Sequence, residues 1–172
     1  MDKASLIGLT AILGLVAGSV WLSDLLDHRP RATEAVAAAI KDEMAFFIEF
    51  FDDPAEREAV DGEEASLCIA SEEPLDFTLL AARLDGTLLR AVPIADCTSK
   101  TVEGDFGMFS GMTYWFDASG EEAGMLEIAA THCPTSRRCI VDINSRGRGD
   151  RYEVTRSGGK WSVTEREMRW VI

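Results

Sequence analysis

Three kinds of hydrophobic spacing follow one another along this chain. Ser5 to Leu22 is an uncharged run, SLIGLTAILGLVAGSVWL, with no polar face at any helical phase. As a helix it would reach ~27 Å, close to the thickness of a hydrocarbon core, and Trp21 at its far end suits a membrane interface. A polar linker over 24–31, closed by Pro30, separates it from a second apolar pattern. With Thr33 as N-cap and Glu34 in the first turn, a helix is expected to about Phe51. Val36, Ile40, Met44, Phe47, Ile48 and Phe51 recur at three- and four-residue spacing, while Lys41, Asp42, Glu43 and Glu49 occupy the remainder. Phe46 and Phe50 widen the apolar arc beyond what one packing face needs.

From Ala65 the period shortens. Ser66–Ala70 reads as a strand, Leu75–Leu84 as a short helix, and Thr87–Ile94 as a strand that Pro93 puts at an edge or an end. Residues 105–116 carry apolar side chains at both parities, which predicts cover on both faces or a bulge near Gly111. Asp117–Gly120 is a turn. Met125–His132 follows as a strand with Leu126, Ile128 and Ala130 inward, then Cys139–Asn144 and Arg151–Arg156. Gly158-Gly159 is a two-residue hairpin turn before Trp161–Ile172. In that last strand Trp161 and Val163 share one face while Met168, Trp170 and Ile172 share the other, so an irregularity is expected between Thr164 and Glu167. Helices first and a meander afterwards predict an α+β domain: an N-terminal transmembrane helix, an amphipathic helix, then a mostly antiparallel sheet with a helix packed on one face.

The 172 residues suffice for an anchor and linker over 1–31 and one α+β domain over 32–172. The rival for the first segment is a cleaved signal peptide with Ala17-Gly18-Ser19 before the cut; an uncleaved anchor is expected. Flanking charge does not orient it. Cysteine usage does better: Cys68, Cys97, Cys133 and Cys139 form an even set beyond the anchor, which favours an oxidising compartment. Three pairings are open. Cys68–Cys97 with Cys133–Cys139 is favoured, one crosslink across a helical connection and one short loop clamp. The expected location is therefore a bacterial inner membrane, single-pass, with the C-terminal domain periplasmic.

The net charge is −13, yet residues 137–172 hold nine Lys and Arg against five Asp and Glu. An acidic body disfavours nucleic acid and anionic lipid as partners, and the basic tail is expected to pair within the fold.

The segments LCIA (67–70), VPIADC (92–97) and GRGDRYEVTRSGGKWSVTEREMRWVI (147–172) resemble a group of small exported α+β proteins of unknown function. Members carry a strand cysteine, a second cysteine after a short helix, and a closing Gly/Trp hairpin. Those positions fall here on Cys68, Cys97, Gly149, Tyr152, Val154, Arg156, Gly159, Trp161, Val163, Trp170 and Val171. The resemblance covers roughly 65–172, implies the α+β fold and the disulfides, and brings no activity. A weaker likeness is to NTF2-like or cystatin-like domains.

Candidate chemistry is sparse. Adjacent strand residues His132 and Cys133 point to opposite faces and form no dyad. Gly147-Arg148-Gly149 lacks the helix and Lys-Ser/Thr of a phosphate loop, and Arg148-Gly149-Asp150 is a chance tripeptide. The carboxylates of 52–64 and 72–73 lack the ligand spacing of a calcium loop. No catalytic residue, cofactor or metal is expected. Phe46, Phe50, Phe109, Met112, Tyr114 and Trp115 are the candidate partner surface. The expectation is a membrane-anchored, non-enzymatic accessory or interaction subunit, held in the bilayer by Ser5–Leu22 and touching other subunits of a membrane complex. The alternative is a periplasmic small-ligand module whose 106–116 aromatics line an NTF2-like cavity.

Overall fold

A computed structural model describes residues 28–45, 65–87, 89–102 and 111–172. Among them no helix is long and apolar enough to cross a membrane; Ser5–Leu22 lies outside them, as do Phe46, Phe50 and Phe109.

Helix α1 spans 28–45. Residues 28–31, read from the sequence as part of a linker over 24–31, are helical; 24–27 lie outside the described residues. Thr33 is no N-cap. Its hydroxyl donates to the Arg29 carbonyl at 2.9 Å and accepts from the Asp76 N–H at 3.1 Å, joining α1 to the cap of the next helix. The run AVAAAI favours helix by propensity, and its small residues Ala35 and Ala39 are fully buried beside Val36 and Ile40. Glu43, expected on the polar side, is only 1% exposed.

Strand β1 (Ala65–Ser71) leads to α2 (Phe77–Leu84), capped by the Asp76 carboxylate, which accepts from the Leu79 N–H at 3.0 Å. Strand β2 (Leu89–Pro93) follows, then a 3₁₀ turn over Ile94–Asp96 and strand β3 (Thr98–Val102). The rest is β4 (Met112–Phe116), β5 (Glu122–Thr135), β6 (Arg138–Ser145), β7 (Arg148–Ser157) and β8 (Lys160–Val171). The main path runs β2-β1-β5-β6-β7-β8, with β4 joined to β5 and β3 to β4. Pro93 thus sits in an edge strand, as its missing N–H requires.

The sheet is mixed. β1 runs parallel to both β2 and β5, and α2 is the crossover that two parallel neighbours need. From β5 onward the pairing is antiparallel. A bulge between Ile128 and Ala130 reverses the parity of β5, so Thr131 is buried where Ala130 was expected. β8 has two register shifts, one placing Thr164 and one placing Arg169 as the extra residue; the first meets the expected window and the second lies beyond it. β3 and β4 pair without interruption from Thr98–Phe116 to Val102–Met112, so no bulge occurs among the paired residues near Gly111.

α1 and α2 supply Val36, Ile40, Leu80 and Leu84 to a core shared with Ile69, Leu126, Val141, Ile143, Tyr152 and Val154. Both disulfides form in the favoured pairing, Cys68–Cys97 and Cys133–Cys139.

Candidate functional site

Strand β4 meets β5 over only two residue pairs, Trp115–Ala123 and Phe116–Glu122. Beyond them it diverges, while β6 begins to pair with β5 at Glu127. The space between is a wedge-shaped cleft of about 910 Å³. The run Gly111–Trp115 along β4 forms one wall, Met125 and Glu127 the floor, and Asn144, Ser145 and Arg146 the other wall. Trp170 closes the β8 side and Met44 reaches in from α1.

The wedge is held open at its root by two links to one face of β1, since residues 66 and 68 point the same way. The first is the Cys68–Cys97 disulfide at the start of β3. The second is Asp117, 4% exposed. Its Oδ2 accepts from Ser66 Oγ at 2.6 Å and from the Arg90 guanidinium. Its Oδ1 accepts from Ser119 Oγ at 2.5 Å and from the N–H groups of Ser119 at 2.9 Å and Glu121 at 3.2 Å. These hydrogen bonds, Ser119 foremost and Ser66 next, hold its carboxyl far below the ordinary aspartate range against the opposing pull of burial.

At the mouth, the Arg146 guanidinium lies 6.0 Å from the Tyr114 ring centre, at the limit of a cation–π contact. Asn144 donates to Glu127 at 2.8 Å. Asn144 Oδ1 and Ser145 Oγ are buried with no hydrogen-bond partner among the described residues. Gly149 is opposite both Asn144 and Trp170, and its lack of a side chain lets the indole lie against the backbone there.

A second polar assembly lies between α1 and the sheet. Tyr152 OH donates to Glu43 Oε2, and Arg166 donates to that same oxygen at 2.6 Å and to Asp150 Oδ2 at 3.0 Å. Arg148 holds Asp150 Oδ1 at 3.0 Å, and Arg166 stacks 5.2 Å from the Tyr152 ring centre. Asp42 adds a third carboxylate 3.9 Å from Arg166, and burial followed by the Glu43 hydrogen bond pushes the Tyr152 phenol well above its usual value. With Tyr152 fully buried and Glu43 and Asp150 each 1% exposed, this assembly fastens α1 to β7 and β8. It also absorbs the Arg148-Gly149-Asp150 tripeptide, whose Asp is inaccessible.

Of the residues singled out in the sequence, Met112, Tyr114 and Trp115 come together on the cleft wall, half-buried. The four cysteines act as crosslinks. Sequence reasoning missed Trp170, Arg146, Asn144 and Met44 as cleft residues, because each comes from a different element. The signal available was Gly149, a strand glycine, which marks a close approach. Among the described residues no three His, Cys, Asp or Glu side chains are grouped as metal ligands.

No family model matches this chain. No curated protein and no solved structure matches it either.

Proposed function

We propose that this chain is a membrane-tethered, disulfide-bonded extracytoplasmic module that binds a small, largely apolar molecule in the wedge between β4, β5 and β6. The cleft carries the reading. Its volume falls in the range of small-molecule sites, two tryptophans, one tyrosine and three methionines line it, and a few polar groups converge at one wall. Apolar walls contribute affinity through buried area, while Arg146, Glu127 and Asn144 orient a polar end. Ser5–Leu22 supplies the tether by its uncharged length, and the two disulfides fit an oxidising compartment.

The test is titration with the neutral fluorophore N-phenyl-1-naphthylamine, followed by competition with candidate ligands. Saturable enhancement that Trp115→Ala and Met112→Gln weaken about tenfold or more, with unfolding unchanged, supports the reading. Enhancement indifferent to both substitutions sinks it. The second reading, an accessory subunit, draws on Met168 and Val171, exposed at 55% and 65% beside Trp170. Elution from mild detergent in a large complex, lost on Met168→Glu with Val171→Glu, would favour it.

A further inference from the structure

We propose that the end of the domain where α1 begins docks onto an anionic phospholipid surface, through His28, Arg29, Arg137, Arg156 and Lys160. This rests on the reading that Ser5–Leu22 lies in a bilayer. The net charge of −13 argues against such a partner only if charge is spread evenly, and it is not. His28, Arg29 and Arg31 share a groove with the β5–β6 turn at Pro134–Ser136. The Arg156 N–H donates to the Arg137 carbonyl at 2.8 Å, which sets the β7–β8 turn beside the β5–β6 turn. Lys160 lines a second groove with Glu34, Ala37, Ala38 and Lys41, farther along α1. Two hairpin turns and the first turn of α1 thus present their cations together, and Arg29, Arg137, Arg156 and Lys160 are exposed.

The carboxylates nearest this end are largely engaged. Glu34 accepts from Arg83 and from Trp161 Nε1 at 3.0 Å, and Glu153 is paired with Arg138. Glu72 and Glu73 are exposed, and Asp24 and Asp27 precede His28 in the sequence. In the sequence, residues 46–64 hold eight Asp and Glu against one Arg. Helix α1, described over 28–45, is ~27 Å long.

Chain length then chooses the partner. Residues 23–27 are all that separate Leu22 from α1, and fully extended they span about 20 Å to His28. The basic end is thus the end that a bilayer-embedded Ser5–Leu22 would hold near the surface, within or just beyond the reach of an anionic surface potential. Met44, which borders the cleft, is at the opposite end of α1, so docking leaves the cleft facing away from the lipid.

The experiment reconstitutes the full chain into vesicles of phosphatidylcholine alone or with one-quarter phosphatidylglycerol. Flotation after carbonate extraction reads the anchor, and hydrogen exchange of the 134–138 and 156–161 backbone reads the docking. A basic side chain near an anionic surface favours association roughly fivefold. Removing three with Arg137→Gln, Arg156→Gln and Lys160→Gln should lower the docked-to-free ratio on the order of a hundredfold. The expected result is slowed exchange at both turns only in phosphatidylglycerol vesicles, erased by the triple variant and by 0.5 M salt, with flotation unchanged throughout. Exchange identical in both vesicles, with flotation intact, overturns the docking. Loss of flotation in carbonate overturns the anchor itself.

Discussion

The Trp170 indole lies against the bare backbone of Gly149: a methyl group there would stand 2.2 Å from Trp170 Nε1 and 2.8 Å from Asn144 Oδ1. Both neighbours border the cleft, and Trp170, 38% exposed, has room to swing outward. Gly149→Ala is therefore expected to displace the indole at a modest stability cost, about 1–3 kcal/mol. A red-shifted tryptophan emission with weakened fluorophore binding is the expected signature. Unchanged emission and binding would show that the contact does not shape the cleft.

The assembly under α1 gives a second prediction. Removing one member of a buried ion pair strands its partner, which costs about 3–5 kcal/mol. Glu43→Gln should approach that loss, whereas Tyr152→Phe, which leaves Glu43 bound to Arg166, should cost about 1 kcal/mol. Urea unfolding of both single variants and the double variant should give a coupling energy well above zero, since both groups share one oxygen. Additive losses would count against the shared hydrogen bond.

The two disulfides are predicted to contribute unequally. They span 29 and 6 residues of sequence, and loop-closure entropy assigns about 3.5 kcal/mol to the longer and about 2.5 kcal/mol to the shorter. Replacing Cys68 and Cys97 together by Ala should thus lower the unfolding midpoint more than replacing Cys133 and Cys139. The first pair also roots the β3–β4 arm, so its loss should weaken cleft binding as well, measured on protein that is still folded.

Asp117 supplies a pH dependence. Its folded-state value lies below the ordinary 3.8, so the stability it contributes is present above that pH and is lost as pH falls through it toward the folded value. Asp117→Asn should be less stable than the parent at neutral pH, and the difference should narrow below pH ~4, as followed by urea midpoints across pH. A gap that stays constant would refute the assignment.

The succession of strands, β3 (Thr98–Val102) excepted, was legible because those elements carried a local signal. Gly158-Gly159 marked the last hairpin, and both residues take positive φ, 57° and 82°. Leu80 and Leu84 marked a helix face by spacing. The parallel place of β1 was not legible, since it depends on β5 some 57 residues later, and no local pattern encodes that distance. Glu43 misled because a carboxylate among Lys41 and Asp42 reads as solvated; only the arrival of Tyr152 and Arg166 makes its burial affordable. The inward place expected for Ala130 fell to Thr131 because the bulge after Ile128 reverses the parity up to His132, where a second shift follows. The cleft was half legible: one strand contributes Met112, Tyr114 and Trp115, while the opposing wall is assembled from turns and from β8.

The parallel pairing of β1 with β5 has a consequence for how the chain must come into being. α1, β1, α2 and β2 are synthesised first, yet the surface they pack on, including Ile128, Val141, Tyr152 and Val154, comes last. A chain threaded through a membrane amino end first would hold Val36, Ile40, Leu80 and Leu84 uncovered until the meander arrived. The meander itself, β5 to β8, pairs only near neighbours in sequence, so it can close quickly once present. The meander thus supplies most of the surface that α1, β1 and α2 cover.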